Sequence, residues 1–289
     1  MRVVDGCTSR ELTKAAIVEL IESSDSAYSI NRMPGIEARV LKAWKECGED
    51  TESLITRTGL LLQLQQNTGF YAQSDFVGEL DFWCKTSIRA LRRSTLLYRL
   101  ETAEAQSFDV LVDDFLDEIH VWSANRLHQW MPALEGLKVL ACTPFADSAK
   151  QQLPHLCKLF TSGHTPFAYP RFDISFVKAH NTVLGNDPFP HSGWRETLEH
   201  TAEEILKHDF DLALLGCGSY GTPLCERIRA AGKNAFYIGS YCQLMFGIKG
   251  RRWENEGNPI GSYFNEYWRN PSVLETPRSF KEIEGGCYW

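Results

Sequence analysis

The spacing of hydrophobic and polar positions changes near residue 136. Before this point, apolar residues mostly recur every three or four positions, which is typical of amphipathic helices. The predicted helices span about 10–22, 35–47, 50–66, 74–92 and 109–118. Two short runs with β character, Tyr28–Met33 and Thr95–Leu100, interrupt these helices. The pattern therefore predicts a mainly helical N-terminal part over residues 1–136.

After residue 136, short apolar runs alternate with amphipathic segments. The predicted strands span 137–145, 172–179, 210–218 and 234–240, and the predicted helices span 146–160, 194–208 and about 222–231. The last helix has Thr222 as its expected N-cap, Pro223 at its first position and Gly232 just past its end. Such alternation indicates βαβ units. The expected fold class is α/β, with a Rossmann-like parallel sheet of four or more strands covered by helices on both faces.

Composition supports a folded protein without a clear division. Hydrophobic residues make up 43% of the 289 positions and charged residues 23%, which excludes a disordered linker, a collagen or a coiled coil. No Pro/Gly/Ser-rich segment separates residues 1–136 from residues 137–289, so we expect one compact unit in which the first part contributes to a cleft of the second. Ten aromatic residues follow position 240. They predict a tail that either closes over a ligand or seals the core.

Charge and cysteine usage narrow the class of protein. Thirty basic against 37 acidic residues give a net charge of −7, which argues against a nucleic-acid partner. No stretch approaches the ~18 apolar residues of a membrane span, and the N-terminal sequence lacks the apolar core of a signal peptide. We therefore expect a cytoplasmic protein without an integral membrane segment. Nine cysteines without a C-x-x-C pair predict neither a disulfide framework nor a zinc site.

A glycine-rich segment joins the predicted strand 210–218 to the helix that follows it. Its sequence, Gly216-Cys217-Gly218-Ser219-Tyr220-Gly221, is a literal G-x-G-x-x-G. Glycines there allow a tight turn and close approach of a ligand, while the N–H groups at the start of the helix favour an anion. The residues expected to bind a nucleotide are Gly216, Gly218, Ser219, Tyr220 and Gly221. The alternative is a tight strand-to-helix turn without a ligand.

The surroundings of this segment favour a phosphate-bearing ligand over a dinucleotide. A dinucleotide site has an acidic residue at the end of the next strand to hold a ribose hydroxyl, and the sequence 237–240 has none. The glycines also resemble those of an adenosylmethionine-dependent methyltransferase, which remains an alternative. Lys249, Arg251 and Arg252 follow the last predicted strand. At the same edge of the sheet, they would neutralise a diphosphate.

Several segments of the sequence together resemble a known protein family. From LEGLKVLACTPFADSAKQQ through FDLALLGCGSYG to FNEYW and EGGCYW, it is similar to largely uncharacterised proteins of bacterial and viral surface-polysaccharide gene clusters, relatives of the GT-D glycosyltransferase fold. The segment 31–37 resembles the R-x-G-D-G-E motif of that fold, with Arg32 and Glu37 at the same relative spacing. The resemblance covers about residues 28–47 and 125–289.

The resemblance implies a glycosyltransferase that moves a sugar from a nucleotide-diphosphate sugar to a surface glycan or glycolipid. Such a reaction needs a carboxylate to accept the acceptor's proton and positive charge to stabilise the leaving group. Glu37 is then the expected catalytic base or acceptor-orienting residue, and Arg32 its phosphate or carboxylate partner. Glu266, flanked by aromatic residues, is the alternative base.

Two departures from the family pattern leave the cofactor open. Pro34 and Gly35 stand where the motif has glycine and aspartate, and Cys242 and Leu244 stand where the fold has a metal-binding D-x-E. The motifs therefore predict no metal-binding residue and do not support Mn or Mg as a cofactor. A non-catalytic nucleotide- or glycan-binding protein remains a further alternative. Donor base, sugar, acceptor, stereochemistry and oligomeric state stay open.

Overall fold

The computed structural model describes residues 9–32, 34–99, 120–121, 127–186, 188–254 and 258–289. The helix predicted at 109–118 lies outside these residues.

Within the described residues, seven parallel strands form one sheet. They are β1 (Ser29–Arg32), β2 (Leu96–Arg99), β3 (His120–Val121), β4 (Lys138–Thr143), β5 (Asp173–Lys178), β6 (Leu212–Leu215) and β7 (Asn234–Tyr237). Their order across the sheet is β3-β2-β1-β7-β6-β4-β5, and every pairing is parallel. The expected α/β class with a Rossmann-like parallel sheet is confirmed.

The two short β runs of the N-terminal part belong to this same sheet. β1 pairs with β2 on one side and with β7 on the other, and Ile30 lies opposite Phe236. The first 136 residues therefore supply three strands as well as helices. Because β1 lies beside β7, the chain following Arg32 emerges at the same edge as the loops of the C-terminal part.

Helices cover the sheet in largely the predicted places. The α-helices are Ser9–Ser23, Gly35–Glu46, Thr51–Leu54, Thr58–Thr68, Phe76–Arg92, Leu127–Trp130, Ala146–Gln152, Trp194–Leu206, Gly221–Ala230, Tyr241–Met245 and Arg251–Glu254. The single helix expected over 50–66 is two helices. Asp50 caps the first by accepting bonds from the N–H groups of Glu52 and Ser53, and Gly69 ends the second in the left-handed conformation.

One predicted cap is wrong. The helix expected to start after Thr222 starts at Gly221, and no side chain caps it. The hydroxyl of Thr222 instead donates to the carbonyl oxygen of Arg32 at 2.8 Å. This bond connects the end of β1 to the start of the Gly221–Ala230 helix.

Alternating residues of each central strand face two different cores. On β4, Leu140 and Cys142 belong to the core shared with the Gly35–Glu46 and Phe76–Arg92 helices. Val139 and Ala141 belong to the other core, which includes the buried tail residues Phe246, Tyr263 and Trp268. Most of the aromatic tail therefore covers the second face of the sheet. No helix among the described residues combines the length and apolar character needed to cross a membrane.

Candidate functional site

A cleft of about 800 Å³ lies at the carboxyl edge of the sheet. The segments that follow β1, β4, β5, β6 and β7 all contribute to its wall, together with the end of the Thr58–Thr68 helix and part of the C-terminal tail. The connections after β4 and β6 lead in opposite directions across the sheet. Ligands of open α/β sheets bind at such a divergence, and the volume falls in the range of small-molecule sites.

Arg32 and Glu37 both line this cleft, as their spacing in the sequence predicts. Arg32 ends β1, is 8% exposed, and donates from Nη1 to the carbonyl oxygen of Ile238 at 3.5 Å. Gly239 has φ +62°, and a Cβ atom there would lie 2.6 Å from Nη1, so a side chain at this position would displace the guanidinium. Glu37 lies in the first turn of the Gly35–Glu46 helix and is 5% exposed. One cation and one carboxylate are thus brought to the same cleft.

Of the three predicted phosphate-binding cations, the structure brings Arg252 to the cleft. Its guanidinium binds the Glu284 carboxylate, donates to the Tyr288 hydroxyl at 3.3 Å and lies 4.6 Å from the centre of that ring. Lys249 instead pairs with Glu254 at 3.3 Å, and neither residue lines the cleft.

Arg251 is exposed and lies outside the cleft lining. It donates to the carbonyl oxygen of Gly285 at 3.2 Å, and the N–H of Arg252 bonds the carbonyl oxygen of Cys287 at 3.0 Å. The basic run therefore also holds the last residues of the chain in place.

Four residues of the glycine loop 216–221 line the cleft, Gly216, Cys217, Gly218 and Tyr220, whereas the predicted Ser219 and Gly221 lie outside its lining. The glycines of the loop are required by packing inside the protein. Gly218 has φ +56°, and a Cβ atom there would lie 2.4 Å from the carbonyl oxygen of Thr68. A Cβ atom at Gly221 would lie 2.3 Å from the Tyr237 ring, and one at Gly216 would lie 2.5 Å from Cβ of Cys242. Contacts this short exclude a side chain whether or not a ligand binds.

The side chains of the glycine loop are also used inside the core. Ser219 accepts a hydrogen bond from Nε1 of Trp194 at 2.9 Å. The Tyr220 ring stacks on Trp194 with centroids 5.2 Å apart, and its hydroxyl lies 2.8 Å from the Thr182 hydroxyl. Burial raises the pKa of Tyr220 well above its usual value. The hydroxyls of Ser219 and Tyr220 are therefore already bonded inside the protein. The N–H groups of Gly216 and Tyr220 are bonded too, to the carbonyl oxygens of Cys142 at 2.8 Å and Cys217 at 3.3 Å.

Cys217 is a buried thiol in the same loop. The pKa of this thiol is raised well above its ordinary value, mainly by a hydrogen bond with Cys142 and secondly by burial. A thiol held protonated is a poor nucleophile, which agrees with the absence of a histidine paired to it in the sequence.

Glu266 does not reach the cleft. Its side chain is exposed, and it is not among the cleft-lining residues of the described chain. The neighbouring rings of Phe264 and Trp268, 4.7 Å apart, pack into the second core. Of the two candidate bases, the structure places Glu37 in the cleft and Glu266 outside it.

Sequence reasoning missed several polar residues of the cleft. Gln63 and Asn67 lie one turn apart on the Thr58–Thr68 helix, and Gln243 lies in the helix after β7. The sequence His180-Asn181-Thr182 begins two residues after the end of β5 and also lines the cleft. The signal that identified the glycine loop, a position just beyond the carboxyl end of a strand, applies equally to this segment.

His180 stands between the cleft and a smaller pocket that contains His200 and His208. Its ring centroid lies 5.6 Å from that of His191 and 6.4 Å from that of His200. The pKa of His180 is lowered from its ordinary value of 6.5. Burial is the largest cause, and the charges of His191, His200 and Lys178 add to it. The imidazole is therefore neutral at pH 7.

No group of three or more His, Cys, Asp or Glu side chains in the described part of the chain is arranged to hold a metal ion. The residues present in the cleft therefore do not form a metal site of their own.

Comparison with known proteins finds no matching family model and no matching curated protein. Among solved structures, the chain is similar to one described as the selenomethionine substituted structure of domain of unknown function 1792. The match covers 91% of this chain and 96% of that chain, at 10% identity and a TM-score of 0.36. A likeness this distant assigns no activity to the chain.

Proposed function

We propose that the protein is a glycosyltransferase that transfers a sugar from a nucleotide-diphosphate sugar to a hydroxyl of a glycan or glycolipid. The observation that carries the proposal is the presence of Arg32, Glu37 and Arg252 on the wall of one large cleft at the carboxyl edge of the sheet. The acceptor class and a cytoplasmic location, with no nucleic-acid partner, are part of the proposal.

Each of these residues has a role that the reaction needs. Transfer to a hydroxyl requires a base that accepts the acceptor's proton, and Glu37 supplies a carboxylate. The departing nucleoside diphosphate gains negative charge, which Arg32 and Arg252 stabilise. In this proposal, two arginines perform the charge stabilisation that other enzymes obtain from a metal.

The same geometry disfavours a dinucleotide or adenosylmethionine enzyme. Such sites place an acidic residue at the end of the strand after the glycine loop, where it binds ribose hydroxyls. In this protein the strand is β7, and the guanidinium of Arg32 lies beside its end, bonded to Ile238. A cation there favours an anionic ligand over ribose hydroxyls.

The proposal is tested by binding and turnover. Thermal shift and calorimetry with UDP, GDP, CMP and dTDP and with their sugars should identify a donor, and release of the nucleotide then measures hydrolysis or transfer. We expect Glu37→Gln to lower turnover at least about 100-fold while donor affinity changes little, because the amide cannot accept the proton.

Glu266→Gln is the matched control, since Glu266 is a glutamate in the aromatic tail outside the cleft. It should keep wild-type turnover. Loss of turnover in Glu266→Gln but not in Glu37→Gln would overturn the assignment of the base. Binding of adenosylmethionine or NAD without binding of any nucleotide sugar would overturn the function itself. Donor binding without turnover, unchanged by either substitution, would support a non-catalytic binding protein.

A further inference from the structure

Two residues of the cleft wall each carry a buried side-chain oxygen that lacks a hydrogen-bond partner within the described residues. They are Oδ1 of Asn67 and Oε1 of Gln243. Buried polar atoms in folded proteins are nearly always bonded, because an unsatisfied acceptor loses its water without compensation. Two such oxygens in one cleft indicate groups that a ligand satisfies.

The orientation of the Gln243 amide is fixed by the protein. The side chain is 1% exposed, and its Nε2 donates to the carbonyl oxygens of Ile248 at 3.4 Å and Tyr288 at 3.2 Å. Carbonyl oxygens only accept hydrogen bonds, so the amide nitrogen must face them and Oε1 must face the other way. A flipped amide would set oxygen against two oxygens.

Asn67 differs from its neighbour on the same helix face. Gln63, one turn earlier, also lines the cleft, but its Oε1 accepts a bond from Nη2 of Arg39 at 3.0 Å. Among the described residues, the Gln63 oxygen has a donor and the Asn67 oxygen has none. The helix of Asn67 packs against the Gly35–Glu46 helix that carries Glu37, so this acceptor belongs to the part of the cleft where the proposed base lies.

We infer that Oδ1 of Asn67 and Oε1 of Gln243 bind neutral hydroxyl or N–H groups of the ligand. Both atoms are acceptors, so they attract hydrogen-bond donors and repel phosphate oxygens. The inference rests on the proposed function, in which these donor groups belong to the sugar or nucleobase, while Arg32 and Arg252 hold the diphosphate between them. The two amides are then specificity residues for the uncharged parts of the donor.

The test is a pair of measurements on Asn67→Leu, which replaces the amide with an apolar group of similar volume. Affinity is measured for UDP, GDP, CMP and dTDP and their sugars, and stability is measured by urea unfolding. We expect affinity to fall about tenfold, or about 1.4 kcal/mol. The unfolding midpoint should stay the same or rise, because the substitution removes a buried polar atom that no group in the described part of the chain satisfies.

Asn265→Ala is the matched control. Both ends of the Asn265 amide are bonded, Nδ2 to the carbonyl oxygen of Lys158 at 2.9 Å and Oδ1 to the N–H of Tyr267 at 3.1 Å, and the residue does not line the cleft. This variant should lower the unfolding midpoint and keep wild-type affinity. An Asn67→Leu protein that loses stability in the same way, or keeps wild-type affinity, would overturn the inference.

The ligand series separates the two sources of donor groups. If the loss in Asn67→Leu is already present with the free nucleoside diphosphate, the donor group lies on the nucleoside; if it needs the nucleotide sugar, it lies on the sugar. Free nucleosides and monosaccharides form a second series without phosphate. If the wild type binds these but no nucleotide, the proposed function fails and the amide site stands. If it binds neither series, both are overturned.

Discussion

Two parts of the cleft lining differ in what their groups already do inside the protein. In the glycine loop, neighbouring protein atoms occupy the space in which side chains would lie at the three glycines. The hydroxyls of Ser219 and Tyr220 are bonded within the core. The other part, which we call the polar lining, consists of Arg32, Glu37, Asn67, Gln243 and Arg252. It contributes charged and amide side chains to the cleft wall, and two of its amide oxygens are buried without a partner among the described residues.

This difference separates a motif that builds the site from residues that perform chemistry in it. A glycine-rich strand-to-helix turn brings the backbone close to whatever lies beside it. In this protein the neighbours are the carbonyl oxygen of Thr68 and the ring of Tyr237. The loop thereby packs against the end of the Thr58–Thr68 helix, which contains Asn67. It also packs against the end of β7, which precedes the helix that contains Gln243. The glycine loop supports the polar lining more than it contacts a ligand itself.

The largest expected effect comes from adding a methyl group to the glycine loop. Gly218→Ala should lower the free energy of unfolding by about 3 kcal/mol, because the new Cβ meets a backbone oxygen that cannot move aside and the residue has a positive φ. Urea unfolding measures this loss.

Gly232→Ala provides the control for Gly218→Ala. Gly232 also has a positive φ, of +81°, but nothing lies within 4 Å of its Cβ position. Backbone strain alone should then cost about 1 kcal/mol. If Gly218→Ala is no less stable than Gly232→Ala yet loses nucleotide binding, the glycine loop is a ligand cradle and the comparison fails.

Local patterns predicted the elements better than their arrangement. Apolar periodicity located β4 to β7 to within about two residues at most ends. The reason is that β4, β6 and β7 are largely buried on both faces, while the edge strand β5 is only partly buried. It also identified the β character of the run that contains β1. No local pattern specifies that β1 lies beside β7, since strand pairing depends on the packing of distant segments.

The residues of the candidate site divide in the same way, into those that a local sequence pattern identifies and those that it does not. Arg32 and Glu37 carried a spacing that resembles a known motif, and both line the cleft. Glu266 was predicted from its aromatic neighbours, but those rings pack into the second core and leave the carboxylate in solvent. Asn67 and Gln243 carry no motif at all. Their significance comes from bonds that the surrounding residues fail to make, which only the folded structure shows.

An intermediate effect is expected from the ion pair at the edge of the polar lining. Glu284 binds the guanidinium of Arg252 and competes with a diphosphate for it. Glu284→Gln should therefore raise affinity for a nucleoside diphosphate about threefold, since partly exposed ion pairs are worth less than about 1 kcal/mol. Calorimetry at low salt measures the change.

Glu254→Gln is the matched control for this pair. Glu254 binds Lys249 at 3.3 Å, and neither residue lines the cleft, so nucleotide affinity should not change. An equal gain in both variants would show that net charge, rather than release of Arg252, causes the effect. No gain in Glu284→Gln would remove Arg252 from the diphosphate site.

The smallest expected effect is a change in the free energy of unfolding with pH. It tests whether the group that titrates lies in the glycine loop or in the rest of the cleft. His180, at the cleft wall, has a pKa lowered by burial and by His191, His200 and Lys178; His208, Glu204 and Glu196 lie around the same cluster. Tyr220 of the glycine loop has a raised pKa and stays neutral. The pH comparison between the two regions therefore rests on His180.

The sign of the effect follows from proton binding. Below about pH 6.5 the unfolded chain takes up a proton at His180 more readily than the folded protein does, so the free energy of unfolding should fall as pH decreases from 7 to 5. His180→Asn should flatten that slope. The comparison is Ser219→Ala, which removes a bond to Trp194 in the glycine loop and should lower stability equally at both pH values. A slope unchanged in His180→Asn would assign the titration to another group.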